Sequence, residues 1–185
     1  MRVIGGKFAG RVLSVPIGQS IRPTSDRTRE SLFNILASRE EHFWTNKRIL
    51  DLFAGTGALG IEALSRGAKA AIFVENSVEG RGLIHKNIES FGLQGVGRIL
   101  RRDATKLGVV GTILPFDVIF ADPPYGYGLG EQAFMSAFKG GWAKDKTLFI
   151  LEEKKEAIID LPDIFYLDDE RFYGETAIRL YKLKS

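Results

Sequence analysis

Residues 48–66, R-I-L-D-L-F-A-G-T-G-A-L-G-I-E-A-L-S-R, form the segment from which the fold can be predicted. The opening R-I-L-D-L-F is typical of a strand, and the closing A-L-G-I-E-A-L-S-R has apolar residues at helical spacing. Gly55, Gly57 and Gly60 lie between them in a G-x-G-x-x-G pattern. A strand that turns through such glycines into a helix opens a doubly wound sheet. The segment therefore predicts an α/β fold with a nucleotide-like ligand at the strand's carboxyl end.

The chain after this segment continues to alternate between strand and helix patterns. Four runs are typical of strands: A-A-I-F-V-E (70–75), G-R-I-L-R-R-D (97–103), F-D-V-I-F-A (116–121) and T-L-F-I-L-E-E (147–153). Helical spacing covers about Val78–Phe91 and Gln132–Phe138. Such alternation predicts a mostly parallel sheet with right-handed crossovers and helices on both faces.

Both ends of the chain depart from this alternation. Phe165–Tyr173 and Thr176–Leu183 meet at Gly174, which predicts an antiparallel pair and completes a seven-stranded sheet with an antiparallel C-terminal strand. Arg2–Ile4 and Val12–Val15 predict an N-terminal β-hairpin, followed by a helix over about Thr28–Ala37 capped by Ser25 or Asp26. We expect one domain over residues 1–185, with a basic hairpin–helix appendage at 1–47 and a core at 48–185.

Composition limits the class of protein. The chain contains no cysteine, which excludes disulfides and thiolate metal sites, and His42 and His85 have no ligand-like neighbours, so we expect no metal. Without a signal-type apolar segment or a run of about 18 apolar residues, we expect a cytoplasmic protein that does not enter a membrane. Residues 1–29 carry one acid, Asp26, against six basic side chains: Arg2, Lys7, Arg11, Arg22, Arg27 and Arg29. This basic segment indicates a polyanionic partner or, alternatively, a solvated charged face.

Acidic residues distinguish between two classes of cofactor. Glu75 follows Gly55 by 20 residues, the spacing of a dinucleotide site. Asp51, however, precedes the glycines where a dinucleotide strand carries an apolar residue, and its carboxylate would repel a pyrophosphate. S-adenosylmethionine has an ammonium and a sulfonium instead, so Asp51 favours it. Glu75 suits the ribose hydroxyls and Asp103 the adenine amino group.

Each of these acids also has a purely structural interpretation. Asp51 could pair with Arg48 or cap the turn, and Glu75 could cap the helix that starts near Ser77. Asp103 could pair with Arg101 or Arg102.

The motif D-P-P-Y, residues 122–125, ends the fourth strand of the core. Proline lacks an N–H, and the residue before a proline is extended, so this turn offers a carboxylate and carbonyls rather than donors. Such a surface suits an exocyclic amine, whose protons could be held by Asp122 and the Pro123 carbonyl as charge develops in the transition state. Tyr125 could stack on a base that has left its helix. The structural alternative is a rigid turn that only ends the strand.

These motifs resemble those of the RsmD family, bacterial S-adenosylmethionine-dependent methyltransferases of guanine N2 in small-subunit ribosomal RNA. The resemblance covers nearly the whole chain. It rests most specifically on G-G-K-F-A-G-R at 5–11 and R-P-T-S-D-R-T-R-E at 22–30, together with the glycine loop, D-P-P-Y and F-Y-G-E-T-A-I-R-L-Y at 172–181. It implies a Rossmann-like class I methyltransferase fold.

The resemblance also implies residue roles. The cofactor would contact Asp51, Phe53, Gly55, Thr56, Gly57, Glu75, Asn76, Asp103, Ala104 and Asp122, under a lid that includes Arg22, Pro23 and Thr24. Catalysis would fall to Asp122, Pro123, Pro124 and Tyr125, and RNA would contact Arg2, Lys7, Arg11, Arg27 and Arg29. The expected partner is small-subunit (16S) rRNA within an assembling or assembled 30S particle, bound by a monomer.

Three other functions remain open from the sequence. An adenine N6-methyltransferase of DNA or RNA would fit the same D-P-P-Y pocket. An NAD-dependent oxidoreductase would use the G-x-G-x-x-G pattern, although Asp51 opposes it. A catalytically silent RNA-binding assembly factor could retain the fold without its activity.

Overall fold

A computed structural model of the chain describes residues 1–18 and 25–185. A seven-stranded sheet forms its centre, in the order β3-β2-β1-β4-β5-β7-β6. The strands are β1 (Arg48–Leu52), β2 (Ala70–Val74), β3 (Gly97–Leu100), β4 (Phe116–Ala121), β5 (Ala143–Lys154), β6 (Phe165–Tyr173) and β7 (Thr176–Leu183). The first five strands pair in parallel, and β7 pairs antiparallel with both β5 and β6. This confirms the predicted mostly parallel sheet with an antiparallel C-terminal strand.

The helices cover both faces of the sheet, as predicted. They are α1 (Asp26–Ala37), α2 (Ala58–Ser65), α3 (Val78–Ser90) and α4 (Leu129–Lys139). Successive residues of a strand point to opposite faces, so Ile49 joins the hydrophobic cluster beneath α1, α2 and α3, and Leu50 joins the cluster beneath α4. Because both faces are buried, the central strands are predominantly apolar, with Asp51 in β1 and Asp117 in β4 among the exceptions, which explains why they were recognisable in the sequence.

The predicted N-terminal hairpin is reduced to one antiparallel bridge, between Arg2 and Val12, around a 3-10 turn at Gly6–Phe8. The two arms stay bonded to each other, through the N–H of Val3 to the Arg11 carbonyl (2.9 Å) and the N–H of Leu13 to the Met1 carbonyl (3.0 Å), but helix side chains bind the backbone groups between them. Glu62 of α2 accepts hydrogen bonds from the N–H groups of Ile4 and Gly5, at 2.8 and 2.9 Å. The N-terminal segment, residues 1–14, is therefore bonded to α2 as well as folded back on itself.

Several boundaries differ from the sequence prediction. Helix α1 begins two residues early, and Ser25 rather than Asp26 caps it by accepting from the N–H of Thr28. Strand β3 ends at Leu100, so Asp103 is not on the strand, whereas α4 and β5 extend beyond their predicted limits. Within residues 1–18 and 25–185, no helix is long and apolar enough to cross a membrane. The division at residue 47 stays a prediction, although Val3 and Leu13 share a cluster with Ile49 across it.

Candidate functional site

Three adjacent strands end in register and bring the predicted motifs together. Leu52, the last residue of β1, pairs with Val74 of β2 on one side and with Ala121 of β4 on the other. The residues that follow these three are Phe53, Glu75 and Asp122. Parallel strands place such residues at one edge of the sheet, where ligands of this fold class bind. The glycine loop and the D-P-P-Y motif therefore meet at the carboxyl edge.

A cavity of about 730 Å³ lies at this edge, a volume typical of small-molecule sites. It is lined by twelve of the predicted residues: Asp51, Phe53, Gly55, Thr56, Glu75, Asn76, Asp103, Ala104, Asp122, Pro123, Pro124 and Tyr125. Gly57 is not in this lining, but it forms the N-cap of α2 directly beside it. Arg22, Pro23 and Thr24 lie outside the described residues, so their predicted lid is not described.

Asp51 is the buried acid of the cavity, with only 1% of its surface exposed. Its Oδ2 accepts a hydrogen bond from the N–H of Gly60 in the first turn of α2, at 3.0 Å. Burial raises the pKa of this carboxyl well above its ordinary value, and the nearby charges of Asp122 and Glu75 raise it further, against the opposing Gly60 bond. Asp51 thus caps the turn, which agrees with one of the structural interpretations of this residue. It also lines the cavity, where a cation would stabilise its charged form.

Glu75 fastens the glycine loop to α3. Its Oε1 accepts from the N–H of Gly55 at 2.8 Å, and its Oε2 accepts from the N–H and the hydroxyl of Ser77 at 2.9 and 2.8 Å. Gly80 allows this arrangement, because a Cβ there would lie 2.7 Å from the Glu75 carboxyl carbon. Glu75, a predicted cofactor contact, therefore also stabilises the glycine loop and the start of α3.

Asp103 caps a short 3-10 turn, Ala104–Lys106, rather than ending a strand. Its Oδ1 accepts from the hydroxyl and the N–H of Thr105, and these bonds lower the pKa of the carboxyl. Asp103 is therefore an exposed, ionised hydrogen-bond acceptor at the rim of the cavity. Arg102 also lines the cavity and donates to the Leu107 carbonyl at 2.9 Å.

The glycine loop takes a backbone conformation that few side chains adopt. Gly55 and Gly57 have φ values of 60° and 81°, in the left-handed region that favours glycine. Phe53 has φ 55° at the same turn, which is strained for a non-glycine residue and typical of a functional site. Gly60 is required for a different reason, since a Cβ there would lie 2.4 Å from the ring of Phe73.

The D-P-P-Y motif is braced against the strand next to it. The Tyr125 hydroxyl donates to Oε1 of Glu152 in β5 at 2.7 Å and lies 3.2 Å from the Thr176 hydroxyl of β7. The N–H of Gly126 donates to the carboxylate of Glu153 at 3.2 Å. Pro123 is buried and Pro124 exposed. The aromatic ring is thus held at the cavity by its hydroxyl.

Four of the five described cations predicted to contact RNA are exposed: Arg2, Lys7, Arg11 and Arg27. Arg29 is the exception, and an RNA contact by its side chain is wrong for this structure because it is fully buried. It pairs with Asp26 and with Glu62 (3.4 Å) and donates to the carbonyl of Arg2 at 2.8 Å. Arg29 therefore holds the N-terminal segment on α1 and α2.

Sequence reasoning missed several residues at the site. The cavity also contains Ala54, Ala58, Leu59, Val74, Ser77, Arg102, Thr105 and Leu129. Ser77 and Thr105 had a recognisable signal, because each lies two residues after a predicted acid at a strand end. Glu152 had no recognisable signal in the sequence, because its bond to Tyr125 joins residues 27 positions apart. In the part of the chain that the structure describes, no group of three or more metal-ligating side chains occurs.

Comparisons with known proteins agree with this architecture. A family model described as "Conserved hypothetical protein 95" matches residues 1–182. The chain is 37% identical over 184 residues to Ribosomal RNA small subunit methyltransferase D of Escherichia coli K12, covering 98% of this chain and 89% of that protein. It is 33% identical over 190 residues to the putative rRNA methyltransferase YlbH of Bacillus subtilis, covering 98% of each.

A solved structure described as the putative methyltransferase yhhF from Escherichia coli superposes with a TM-score of 0.83 at 33% identity, covering 100% of this chain and 98% of that one. The family match extends over nearly the whole chain, including both the N-terminal segment and the cavity. The chain therefore belongs to the family described as conserved hypothetical protein 95, which is the RsmD family that its motifs indicated.

Proposed function

We propose that this protein transfers a methyl group from S-adenosylmethionine to the exocyclic N2 amine of a guanine in small-subunit (16S) rRNA. The observation that carries the proposal is that D-P-P-Y and the acid-bearing glycine loop line one cavity. The rRNA substrate is supported by the relative named Ribosomal RNA small subunit methyltransferase D. The choice of guanine N2 rests on the family motifs at 5–11 and 22–30.

The charges in the cavity suit this cofactor. Asp51, Glu75, Asp103 and Asp122 all line the cavity, an acidic set that would repel a pyrophosphate. Asp51 is buried in its interior and is stabilised by any cation that approaches it. In our proposal Asp51 holds the ammonium end, Glu75 the ribose and Asp103 the adenine side. S-adenosylmethionine supplies an electrophilic methyl group on a positively charged sulfur.

The D-P-P-Y turn would activate the accepting amine. The lone pair of a guanine amine is delocalised into the ring, so the amine is a weak nucleophile. The carboxylate of Asp122 and the carbonyl of Pro123 would accept hydrogen bonds from its two N–H groups, favouring a pyramidal nitrogen whose lone pair faces the methyl group. These bonds strengthen as the nitrogen gains positive charge in the transition state. Nitrogen–carbon bond formation accompanies sulfur–carbon cleavage, and the nitrogen then loses one proton to water.

Tyr125 would fix the base in line for this transfer. Its hydroxyl is tied to Glu152, so the ring is already oriented before a base arrives. Prior orientation of the reacting groups lowers the entropy lost in the transition state. A guanine within structured RNA would have to leave its stack to reach the ring, as in other base-modifying enzymes.

The exposed cations of the N-terminal segment supply a suitable RNA face. Lys7 and Arg11 both contact the Phe8 ring, with their charged groups 5.0 and 5.3 Å from its centroid, so two exposed positive charges lie near one aromatic side chain. We propose that they bind rRNA phosphates, in an assembling or assembled 30S particle, with the enzyme acting in the cytoplasm as a monomer.

Transfer of labelled methyl from S-adenosylmethionine would test the proposal on three substrates: unmodified small subunits, naked 16S rRNA and duplex DNA. The products are digested to nucleosides and identified. We expect N2-methylguanosine from small subunits or 16S rRNA. N6-methyladenine would retain the chemistry but overturn the base assignment. Binding of NAD in preference to S-adenosylhomocysteine would indicate an oxidoreductase, and S-adenosylhomocysteine binding without transfer would favour a silent assembly factor.

A further inference from the structure

Asn87 of α3 is a buried amide, 1% exposed, with all of its polar atoms engaged. Its Oδ1 accepts a hydrogen bond from the N–H of Ser14 at 2.7 Å. Its Nδ2 donates to the carbonyl of Ser14 at 3.1 Å and to the carbonyl of Thr56 at 2.9 Å. One side chain therefore connects the N-terminal segment to the glycine loop, across 73 and 31 residues of sequence.

The bond to Thr56 acts on the part of the loop that is least constrained by its own sequence. Thr56 lies between two glycines with positive φ, Gly55 and Gly57, so the peptide planes here could adopt other orientations. The N–H of Gly57 donates to the Ala54 carbonyl at 2.7 Å, and Asn87 holds the carbonyl of the same peptide. Both sides of the Thr56–Gly57 peptide are thereby fixed.

The bonds to Ser14 act on the segment that carries the exposed cations. Leu13, the residue before Ser14, is 2% exposed and belongs to the cluster beneath α1, α2 and α3. Arg11 lies 4.3 Å from the ring centroid of Phe91 at the end of α3 and donates to the Ser90 carbonyl at 2.7 Å. A shift of the segment relative to α3 therefore acts directly on Asn87.

We propose that Asn87 is a positioning residue that couples the N-terminal segment to the glycine loop, residues 53–57. When the segment is docked, Asn87 holds the Thr56 carbonyl and the loop keeps its binding conformation. When the segment is displaced, the amide loses the two Ser14 bonds that orient it, so its hold on the Thr56 carbonyl weakens. Coupling of this kind is reciprocal, so RNA bound by the segment tightens cofactor binding and the cofactor tightens RNA binding. The identities of these two ligands rest on the proposed function, whereas the coupling of segment to loop does not.

A double-mutant cycle tests the coupling. Leu13→Ala loosens the segment, and Asn87→Leu removes the link while keeping a side chain of similar size. Affinity for S-adenosylhomocysteine is measured by calorimetry, and amide hydrogen exchange at Gly57 is measured by NMR on the ligand-free protein. We expect Asn87→Leu to weaken binding roughly tenfold or more, because a buried carbonyl loses its partner. Leu13→Ala should weaken binding and speed Gly57 exchange in the wild-type background, but add nothing in the Asn87→Leu background.

One control variant separates positioning from general loss of stability, and a second Asn87 substitution supports the test. Phe165→Leu lies in the cluster on the other face of the sheet and should lower the unfolding temperature without changing Gly57 exchange or ligand affinity. Asn87→Asp, which keeps the acceptor for the Ser14 N–H but loses both donors, provides a second variant if Asn87→Leu does not fold, and should give the same non-additivity.

Additive effects of Leu13→Ala and the Asn87 substitutions, or Gly57 exchange that is indifferent to Leu13→Ala, would overturn the coupling. The exchange measurement needs no ligand. If wild-type protein fails to bind S-adenosylhomocysteine, the proposed cofactor is wrong, and Gly57 exchange still decides whether Asn87 couples the segment to the loop.

Discussion

The carboxylate of Asp51 accepts a hydrogen bond from the N–H of Gly60 at 3.0 Å, at a position that is 1% exposed. The same group therefore closes the first turn of α2 and lines the cavity. Burial and the neighbouring carboxylates of Asp122 and Glu75 raise its pKa, so its charged form destabilises the ligand-free protein. A residue placed in this way is better suited to a cationic ligand than to stability.

Asp51→Asn should separate the effect of Asp51 on stability, which depends on pH, from its effect on ligand binding. Because the folded-state pKa is raised, the contribution of Asp51 to stability is fully present below its unfolded pKa of about 4 and is lost as pH rises through the folded value. The unfolding temperature of the variant should therefore rise relative to that of wild type as pH increases above about 4. Its affinity for S-adenosylhomocysteine should fall roughly 10- to 100-fold, the usual value of a charge-assisted bond. Equal unfolding temperatures of variant and wild type at every pH would show that the charged form of Asp51 does not destabilise the protein.

Gly80 and Gly82 form a matched pair on α3. A Cβ at Gly80 would collide with Glu75, whereas at Gly82 nothing lies within 4 Å. Gly80→Ala should displace the Glu75 carboxylate and weaken S-adenosylhomocysteine binding roughly tenfold, about 1.4 kcal/mol. Gly82→Ala should leave binding unchanged and stabilise the helix by about 0.5–1 kcal/mol. Calorimetry and thermal unfolding of both variants check this, and indifference of ligand affinity to Gly80→Ala would remove Glu75 from the cofactor site.

Tyr125 allows the ring to be distinguished from its hydroxyl. Tyr125→Phe keeps the ring but loses the bond to Glu152, so kcat should fall by only about fivefold, less than the full value of a hydrogen bond to a charged group, because the ring that would contact the base is retained. Tyr125→Ala should lower kcat/KM by roughly 10- to 100-fold, because stacking of a base on an aromatic ring contributes about 1–3 kcal/mol. Neither substitution should change S-adenosylhomocysteine affinity. Equal losses for the two variants would mean that the hydroxyl, rather than the ring, acts on the substrate.

Arg29 should behave differently from the exposed cations. Arg29→Ala leaves the buried carboxylate of Glu62 without one of its partners and should destabilise the protein by about 3–5 kcal/mol. Lys7→Ala and Arg11→Ala should instead weaken RNA binding and reduce the slope of log K against log salt by about 0.7 for each phosphate that the variant no longer neutralises. Filter binding at several salt concentrations, with thermal unfolding alongside, distinguishes the two classes. An unchanged salt slope in both Lys7→Ala and Arg11→Ala would show that the RNA face lies elsewhere.

The sheet and much of the site were predictable from the sequence because their signals are local. The central strands are apolar runs bounded by turn residues, and β6 and β7 have the predicted limits. The D-P-P-Y motif and the glycine loop follow strand ends, so the parallel sheet alone was enough to predict that Asp122 and Glu75 would lie at the same edge. The cap of α1 was predictable to within one residue, since Ser25 and Asp26 both precede an apolar repeat and the structure has Ser25.

The remaining features depend on interactions between distant parts of the chain. Glu62 and Asn87 bind backbone groups 57 to 73 residues away, and no spacing rule indicates them. The Glu62 bonds also explain why the N-terminal hairpin is shorter than predicted, because they bind the backbone N–H groups of Ile4 and Gly5 where the pairing of the two arms stops. Arg29 had a local signal that its charge obscured. It stands three, four and seven residues before the buried Leu32, Phe33 and Leu36, on the apolar stripe of α1.

The most direct test of the central claim compares wild type with Asp122→Ala in single-turnover methyl transfer to unmodified small subunits, with the product nucleoside identified. We expect N2-methylguanosine from wild type and at least about a thousandfold slower transfer by the variant, since removing one transition-state acceptor has effects of that order. Its affinity for S-adenosylhomocysteine should stay within about twofold, because the ligand retains Asp51 and Glu75. Turnover retained by Asp122→Ala, or methyl appearing on another atom, would contradict the assignment of the D-P-P-Y cavity to guanine N2.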